Sequence, residues 1–183
     1  MKSMMYVDGT NLLVEMGKYI QCEYRADKLP DLAIQIAHAI LFGGLMYYGL
    51  EMQRRYWFGS YRGSEDDCLA YRQLLRRNSF EPVLFKKDKG PEKGVDICLT
   101  KQMLVNAFHG NCNCSVLIAG DEDYLSLVQE TKRYNQQVCI CFFKDSTAPE
   151  LRLAADRFIE LDDRLRDDNV KRLVDAFRTS LPK

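Results

Sequence analysis

An α/β fold with a mainly parallel sheet and helices on both faces is what this sequence predicts, and three observations predict it. Short apolar runs alternate with stretches of helical periodicity almost from end to end, as strand–helix–strand units require. Two of the runs, Met4-Met5-Tyr6-Val7 and Val116-Leu117-Ile118-Ala119, stop at glycine-containing turns that carry acids, and the carboxyl ends of parallel strands are where such sheets place ligands. Right-handed crossovers leave few strand orders to choose from. The order 3-2-1-4-5 sets these two runs side by side, about 4.8 Å apart. Asp8 and Asp121, which follow them, would then nearly touch and could share one metal ion.

Each element has a local reason. Residues 4–7 form a short apolar run ended by Gly9. Helical patterns follow over 11–19 and 32–46, with Pro30-Asp31 as a helix start between them. Residues 51–59 contain Tyr56, Trp57 and Phe58 and read as a strand. The helix expected over 65–77 has Ser64 as its N-cap and acids in its first turn. A short strand at 82–85 runs into a charged, turn-rich loop over 86–94. Residues 95–108 then set Val95, Leu99, Met103, Leu104 and Phe108 at helical spacing. A buried strand at 116–119, a helix at 124–134, a second buried strand at 138–143, a short helix at 151–157 and an edge strand at 158–161 follow. From Asp162 onward a charged, amphipathic helix offers Leu165, Val170, Val174 and Phe177 as contacts. The expected organisation is one domain over 1–161, with a helix over 162–183 packed on it or extending it.

Composition narrows the function classes. A chain of 183 residues fits one domain that buries about 70% of its unfolded surface. Hydrophobic content of 46% and charged content of 28% are ordinary for a globular protein. No window approaches the ~20 apolar residues of a membrane span, and Gly43-Gly44 interrupts the longest apolar stretch. The amino terminus enters a strand-like run with no signal-peptide layout, so the cytoplasm is the expected compartment. Seven cysteines, an odd count, argue for reduced thiols. Strand periodicity puts Cys139 and Cys141 on one face as small buried hydrophobes, whereas His109, Cys112 and Cys114 lack an evident fourth ligand for zinc.

The formal net charge is zero, so bulk charge announces no nucleic-acid partner. Locally, Arg72, Arg76, Arg77, Lys86, Lys87, Lys89 and Lys93 are only lightly offset by Glu81, Asp88 and Glu92. Such a stretch can track phosphates near an acidic site, which makes Arg76, Arg77, Lys86, Lys87 and Lys93 the substrate-binding candidates. A solvated helix face followed by a lysine-rich loop gives the same pattern.

Four acids stand out: Asp8, Asp96, Asp121 and Asp123, with Asp96 at the head of a helix after Lys93-Gly94-Val95. Carboxylates delivered to one groove repel unless a cation or a shared proton joins them, and oxygen-rich sites suit magnesium or manganese. A cation there would let water attack a phosphodiester in line near neutral pH, and Asn11 could steady a carboxylate through its amide. Each residue also has a purely structural use. Asp121 can cap the helix that begins near Asp123, Asp123 can serve its dipole, Asn11 can cap the first helix, and Asp96 can start its own. The two histidines, His38 and His109, stand in no nucleophile motif, and no Walker-type phosphate loop is present. Asp8-Gly9-Thr10 also resembles haloacid-dehalogenase-type phosphatases, but Tyr6 stands where their nucleophilic aspartate is needed.

Three segments together resemble the acidic motifs of NYN domains, in the PIN-like ribonuclease superfamily: Tyr6-Val7-Asp8-Gly9-Thr10-Asn11, Lys93-Gly94-Val95-Asp96 and Ala119-Gly120-Asp121-Glu122-Asp123-Tyr124. Leu153-Ala154-Ala155-Asp156-Arg157-Phe158-Ile159 is similar to the stretch near the end of that domain, and the likeness, which spans about 4–161, is greatest to the LabA-like branch. It implies a PIN-like, Rossmann-like three-layer fold and a metal-dependent ribonuclease that hydrolyses RNA with Mg2+ or Mn2+. Asp8, Asp96, Asp121 and Asp123 are then the metal-site candidates, supported by Asn11. Two departures bear on activity: Ala119 stands where a small hydroxyl residue is usual, and Gln102 where an acid is common. Asn135 replaces a common glycine, a mild change because asparagine tolerates the left-handed conformation. The alternative is a catalytically weak or inactive NYN-type module that binds RNA or protein. A homo-oligomer or a protein partner stays open.

Overall fold

Along the first strand, β1 (Lys2–Asp8), side chains alternate between two apolar interiors. Met5 and Val7 enter one, Met4 and Tyr6 the other. The computed structural model describes residues 1–19, 31–45, 48–87 and 94–180. Within them β1 is joined by β2 (Glu51–Tyr61), β3 (Glu81–Lys86), β4 (Cys114–Ile118), β5 (Gln137–Phe142) and β6 (Arg157–Glu160) in one sheet of order β3-β2-β1-β4-β5-β6. Every pairing is parallel. The chain builds outward from β1 to β3 and then returns to the far side of β1 as β4. That reversal opens a groove at the carboxyl ends of β1 and β4.

Helices cover both faces. α1 (Gly9–Tyr19), α2 (Asp31–Leu45), α3 (Glu65–Arg77) and α7 (Asp168–Ser180) close one interior with Leu12, Ile36, Leu75 and Val174. α4 (Val95–Phe108), α5 (Leu125–Arg133) and α6 (Pro149–Ala154) close the other with Leu99, Val128 and Leu151. α3 begins at a capping box: Ser64 Oγ accepts from the Asp67 N–H, and the Asp67 carboxylate accepts from the Ser64 N–H. Such a cap contributes about 1 kcal/mol. Trp57 is fully buried between β2 and α3, where its indole N–H donates to Tyr71 Oη at 3.0 Å.

The predicted order 3-2-1-4-5 holds, with β6 added as a short edge strand, and the helices expected over 65–77 and 95–108 match α3 and α4. Elsewhere the boundaries move for identifiable reasons. The helix expected over 124–134 is divided into a 3-10 turn, Glu122–Tyr124, and α5, because Asp121 caps the turn through the Asp123 N–H at 3.2 Å. β4 starts two residues earlier than expected, at Cys114. Ser115 can be buried there because its hydroxyl donates to Gln136 Oε1 at 2.8 Å. The last segment opens with a 3-10 turn, Asp162–Arg166, before α7. Val170 and Val174 are buried on the α2 side and Leu165 packs against them half-buried, while the Phe177 side chain and residues 88–93, Lys89 and Lys93 included, lie outside the described residues.

Cys139 and Cys141 are buried on one face, as expected. Burial pushes the Cys139 thiol up to about 12 and Cys114 up to about 11, so these side chains stay neutral and act as hydrophobes. Cys112 and Cys114 turn to opposite faces of the sheet and His109 is exposed, so these three do not gather into a zinc site. Pro82 sits in β3 without disrupting the ladder, because among the described residues β3 is an edge strand with only β2 beside it.

Candidate functional site

At the carboxyl end of β1, Asp8 is the last strand residue and only 6% exposed. Gly9 opens α1 directly against Trp57, so closely that a Cβ at position 9 would run into the indole ring. The absence of a side chain there lets the chain turn tightly off the sheet and holds Asp8 at the groove. Asn11, in the first turn of α1, ties this turn down twice. Its backbone N–H donates to Asp8 Oδ1 at 3.0 Å, and its side-chain carbonyl accepts from the Gly120 N–H at 3.0 Å. One residue thus joins the β1 turn to the turn that follows β4.

Gly120 is fixed from its other side as well. Its carbonyl accepts from the Ala148 N–H at 2.9 Å, and a Cβ there would collide with the Ser146 carbonyl and the Phe142 ring. Both loops at the groove are therefore packed so closely, against the Trp57 indole at one and the Ser146 carbonyl and Phe142 ring at the other, that a larger residue at 9 or 120 has no room.

The third contributor is α4. Gly94 precedes it with φ +95°, a left-handed conformation that L side chains rarely adopt, and this starts the helix with Asp96 in its first turn. Asp8 and Asp96 meet at Tyr124. The tyrosine hydroxyl lies 2.9 Å from Asp8 Oδ2 and 3.1 Å from Asp96 Oδ1. Tyr124 is 3% exposed. Burial and the two neighbouring carboxylates push its hydroxyl far above the ordinary tyrosine range, so it remains a donor throughout the accessible pH range. A phenol has one proton. It can satisfy one of these carboxylates at a time, and the second oxygen then faces a lone pair.

Asp121 and Asp123 are different. Both are exposed, and Asp121 Oδ1 accepts from the Asp123 N–H as the cap of the 3-10 turn. The register pairs Val7 with Ile118, which sets Asp8 level with Ala119 and leaves Asp121 two residues farther along. Among the described residues, no group of three or more His, Cys, Asp or Glu side chains stands close enough to hold a metal ion. The expected neighbour of Asp8 was Asp121; the carboxylate that shares a contact with it is Asp96. Two carboxylates still suit one ion type, since Mg2+ is commonly held by one or two carboxylates, its own waters and substrate phosphates. The oxygen-only donor set fits Mg2+ or Mn2+.

The basic candidates are divided. α3 starts near the carboxyl end of β2 and runs back, so Arg76 and Arg77 close it at the turn into the amino end of β3. Lys86 ends β3, level with Tyr61, whereas Asp8 is level with Phe58. Lys86 and Lys87 thus lie toward the groove, and Arg76 and Arg77 lie at the other end of β3. Lys93 falls outside the described residues.

Tyr124 is the site residue that sequence reasoning missed. It closes the third acidic motif, but an aromatic beside an acidic turn also reads as a core residue, and only the fold brings it to Asp8, 116 positions away. Gln102 is half-buried on α4, and Ala119 is fully buried. Asn135 adopts φ +61°, the left-handed conformation anticipated for it.

Comparison with known proteins bears on the same region. A crystal structure of a protein of unknown function from Vibrio parahaemolyticus RIMD 2210633 matches with a TM-score of 0.62 at 20% identity, over 89% of this chain and 94% of that one. At that identity the likeness speaks for the fold alone. A search among curated proteins finds no match. The family model for the NYN domain matches residues 2–162, a span that takes in Asp8, Asn11, Asp96 and the 120–124 turn. The chain therefore belongs to the NYN domain family, a PIN-like nuclease family whose members are typically ribonucleases and generally use divalent metals.

Proposed function

We propose that this protein is a metal-dependent ribonuclease of the LabA-like branch, which cleaves RNA phosphodiesters at the groove between β1 and β4. The observation that carries the reading is the convergence of Asp8 and Asp96 on one hydroxyl at the switch point of the sheet. Asp8 and Asp96 would hold the cation, with Asp121 and Asp123 adding outer contacts from the far turn. When bound, such a cation supplies Lewis-acid stabilisation of the phosphoryl oxygens. Asn11 positions Asp8 and, through Gly120, keeps the two turns in register. Lys86 and Lys87, with Lys93, would attract the backbone of the RNA.

The test is cleavage of single-stranded and structured RNA by the wild type and Asp8→Asn, with Mg2+ or Mn2+ and with excess chelator. The reading expects cleavage that needs the metal and is lost in the variant. Cleavage that persists in chelator would sink the metal mechanism. A second reading, an RNA- or protein-binding module without catalysis, draws on the absence of a three-acid cluster among the described residues and on the capping role of Asp121. RNA retention without cleavage under every metal condition would favour it.

A further inference from the structure

A hydroxyl placed between two carboxylates does part of what a cation would do there. It offers a positive end to one of the two oxygens at a time and so eases their mutual repulsion. It does so incompletely, because one proton serves two acceptors. A divalent cation that bridged Asp8 Oδ2 and Asp96 Oδ1 would relieve the repulsion more fully, yet it would have to stand where the hydroxyl, within hydrogen-bond distance of both oxygens, now stands. Asp8 keeps a second support, the Asn11 N–H at 3.0 Å, and Asp96 is placed by the first turn of α4. The carboxylates therefore do not depend on Tyr124 alone for their position.

We infer that the Tyr124 hydroxyl is a built-in competitor of the metal: it holds Asp8 and Asp96 together when no cation is bound and must release at least one of them when a divalent cation bridges the two. This rests on the metal-site reading above and adds to it a residue that sets affinity. Tyr124 weakens cation binding and at the same time stabilises the metal-free fold. The site then loads when metal arrives with the phosphates of a substrate, which supply further oxygens, and holds metal poorly without them.

Phenylalanine keeps the ring in the apolar cluster to which Tyr124, Tyr6, Leu99 and Leu127 all belong, so Tyr124→Phe removes the hydroxyl with little change in packing. The measurement is calorimetric titration of the chelator-stripped full chain with Mn2+, alongside its melting temperature, for wild type, Tyr124→Phe and Asp8→Asn. Tyr124→Phe is expected to bind Mn2+ about tenfold more tightly than wild type, the order expected from removing one hydrogen bond to a charged group, and to melt lower without metal. Asp8→Asn should bind more weakly than either. If wild type binds Mn2+ and Tyr124→Phe binds it equally or more weakly, the competitor role is overturned while the metal site stands. A lower melting temperature with unchanged affinity has the same meaning, because a merely structural hydroxyl would act that way. If neither protein binds Mn2+ at millimolar concentration, the metal-site reading fails and this inference fails with it.

Discussion

The two acidic turns at the groove are built from similar residues and held in different ways. Asp8 is buried, bonded to the Asn11 N–H and to Tyr124, and reaches Asp96 through that phenol. Asp121 and Asp123 lie in solvent, and the one carboxylate contact seen between them caps their own turn. An acid that merely starts a helix needs no partner elsewhere in the fold. An acid at a strand end with long-range contacts costs free energy to bury and is kept only where those contacts, or a ligand, offset the cost. Asp96 is exposed like the two turn acids, so what separates an inner pair, Asp8 and Asp96, from an outer pair is the shared contact with Tyr124.

The largest effect should fall on the inner pair. Asp8→Asn is expected to lower metal-dependent RNA cleavage by at least about 100-fold with little change in melting temperature, since asparagine can still accept from the Asn11 N–H. Asp121→Asn should lower it by about tenfold or less. Equal losses at the two positions would abolish the distinction between inner and outer acids.

The next effect concerns the clamp between the turns. Gly120→Ala puts a methyl against the Ser146 carbonyl and the Phe142 ring and should destabilise the protein by about 2 kcal/mol, read from chemical denaturation. Unchanged stability would mean that the 145–148 segment gives way freely.

Stability also separates capping from ligation at Asp121. Asparagine is as good an N-cap as aspartate, whereas alanine loses about 1 kcal/mol. Asp121→Ala should therefore be less stable than Asp121→Asn in a denaturant titration. If the two are equally stable, the bond to the Asp123 N–H contributes nothing.

Smaller still is the expected contrast between the two ends of β3. Neutralising Lys86 and Lys87 should flatten the dependence of RNA affinity on salt by about 0.7 per lost contact, and neutralising Arg76 and Arg77 should leave the slope as it was. The reverse result would move the RNA path to the α3–β3 turn. Gln102→Glu should change cleavage least, by about threefold at most. Position 102 is six residues beyond Asp96, a rotation of about 600° that puts the two on different faces of the helix. A large rise in rate with a lower Mn2+ requirement would show that the α4 flank reaches the cation.

Much of the frame could be read before any coordinates, because its signals are local. Ser64 with Asp67 marks the start of α3 within four residues, and the apolar runs at 4–7 and 116–119 need only length and composition to read as buried strands. Handedness left few strand orders once those elements were known, and 3-2-1-4-5, the one expected, is among them. The site was legible as a set of residues and illegible as a geometry. Asp8 was expected against Asp121 because adjacent strands suggested it; the register sets Asp8 level with Ala119, and the 3-10 turn carries Asp121 beyond. Arg76 and Lys86 are ten positions apart in sequence, yet one turn and one strand separate them to opposite ends of β3. Tyr124 was hidden because its role exists only where β1, α4 and the turn after β4 converge.

Pro82 has a further consequence for the molecule among its copies. An exposed outer strand is a template onto which another chain can hydrogen-bond, and sheets grow into fibres in that way. Proline has no amide hydrogen to offer such a newcomer, so the row of donors on the open side of β3 is interrupted one residue after it begins. At the far end β6 offers only four residues. Among the described residues, the sheet that delivers Asp8 to its groove thus presents a broken row of donors at one flank and a four-residue strand at the other.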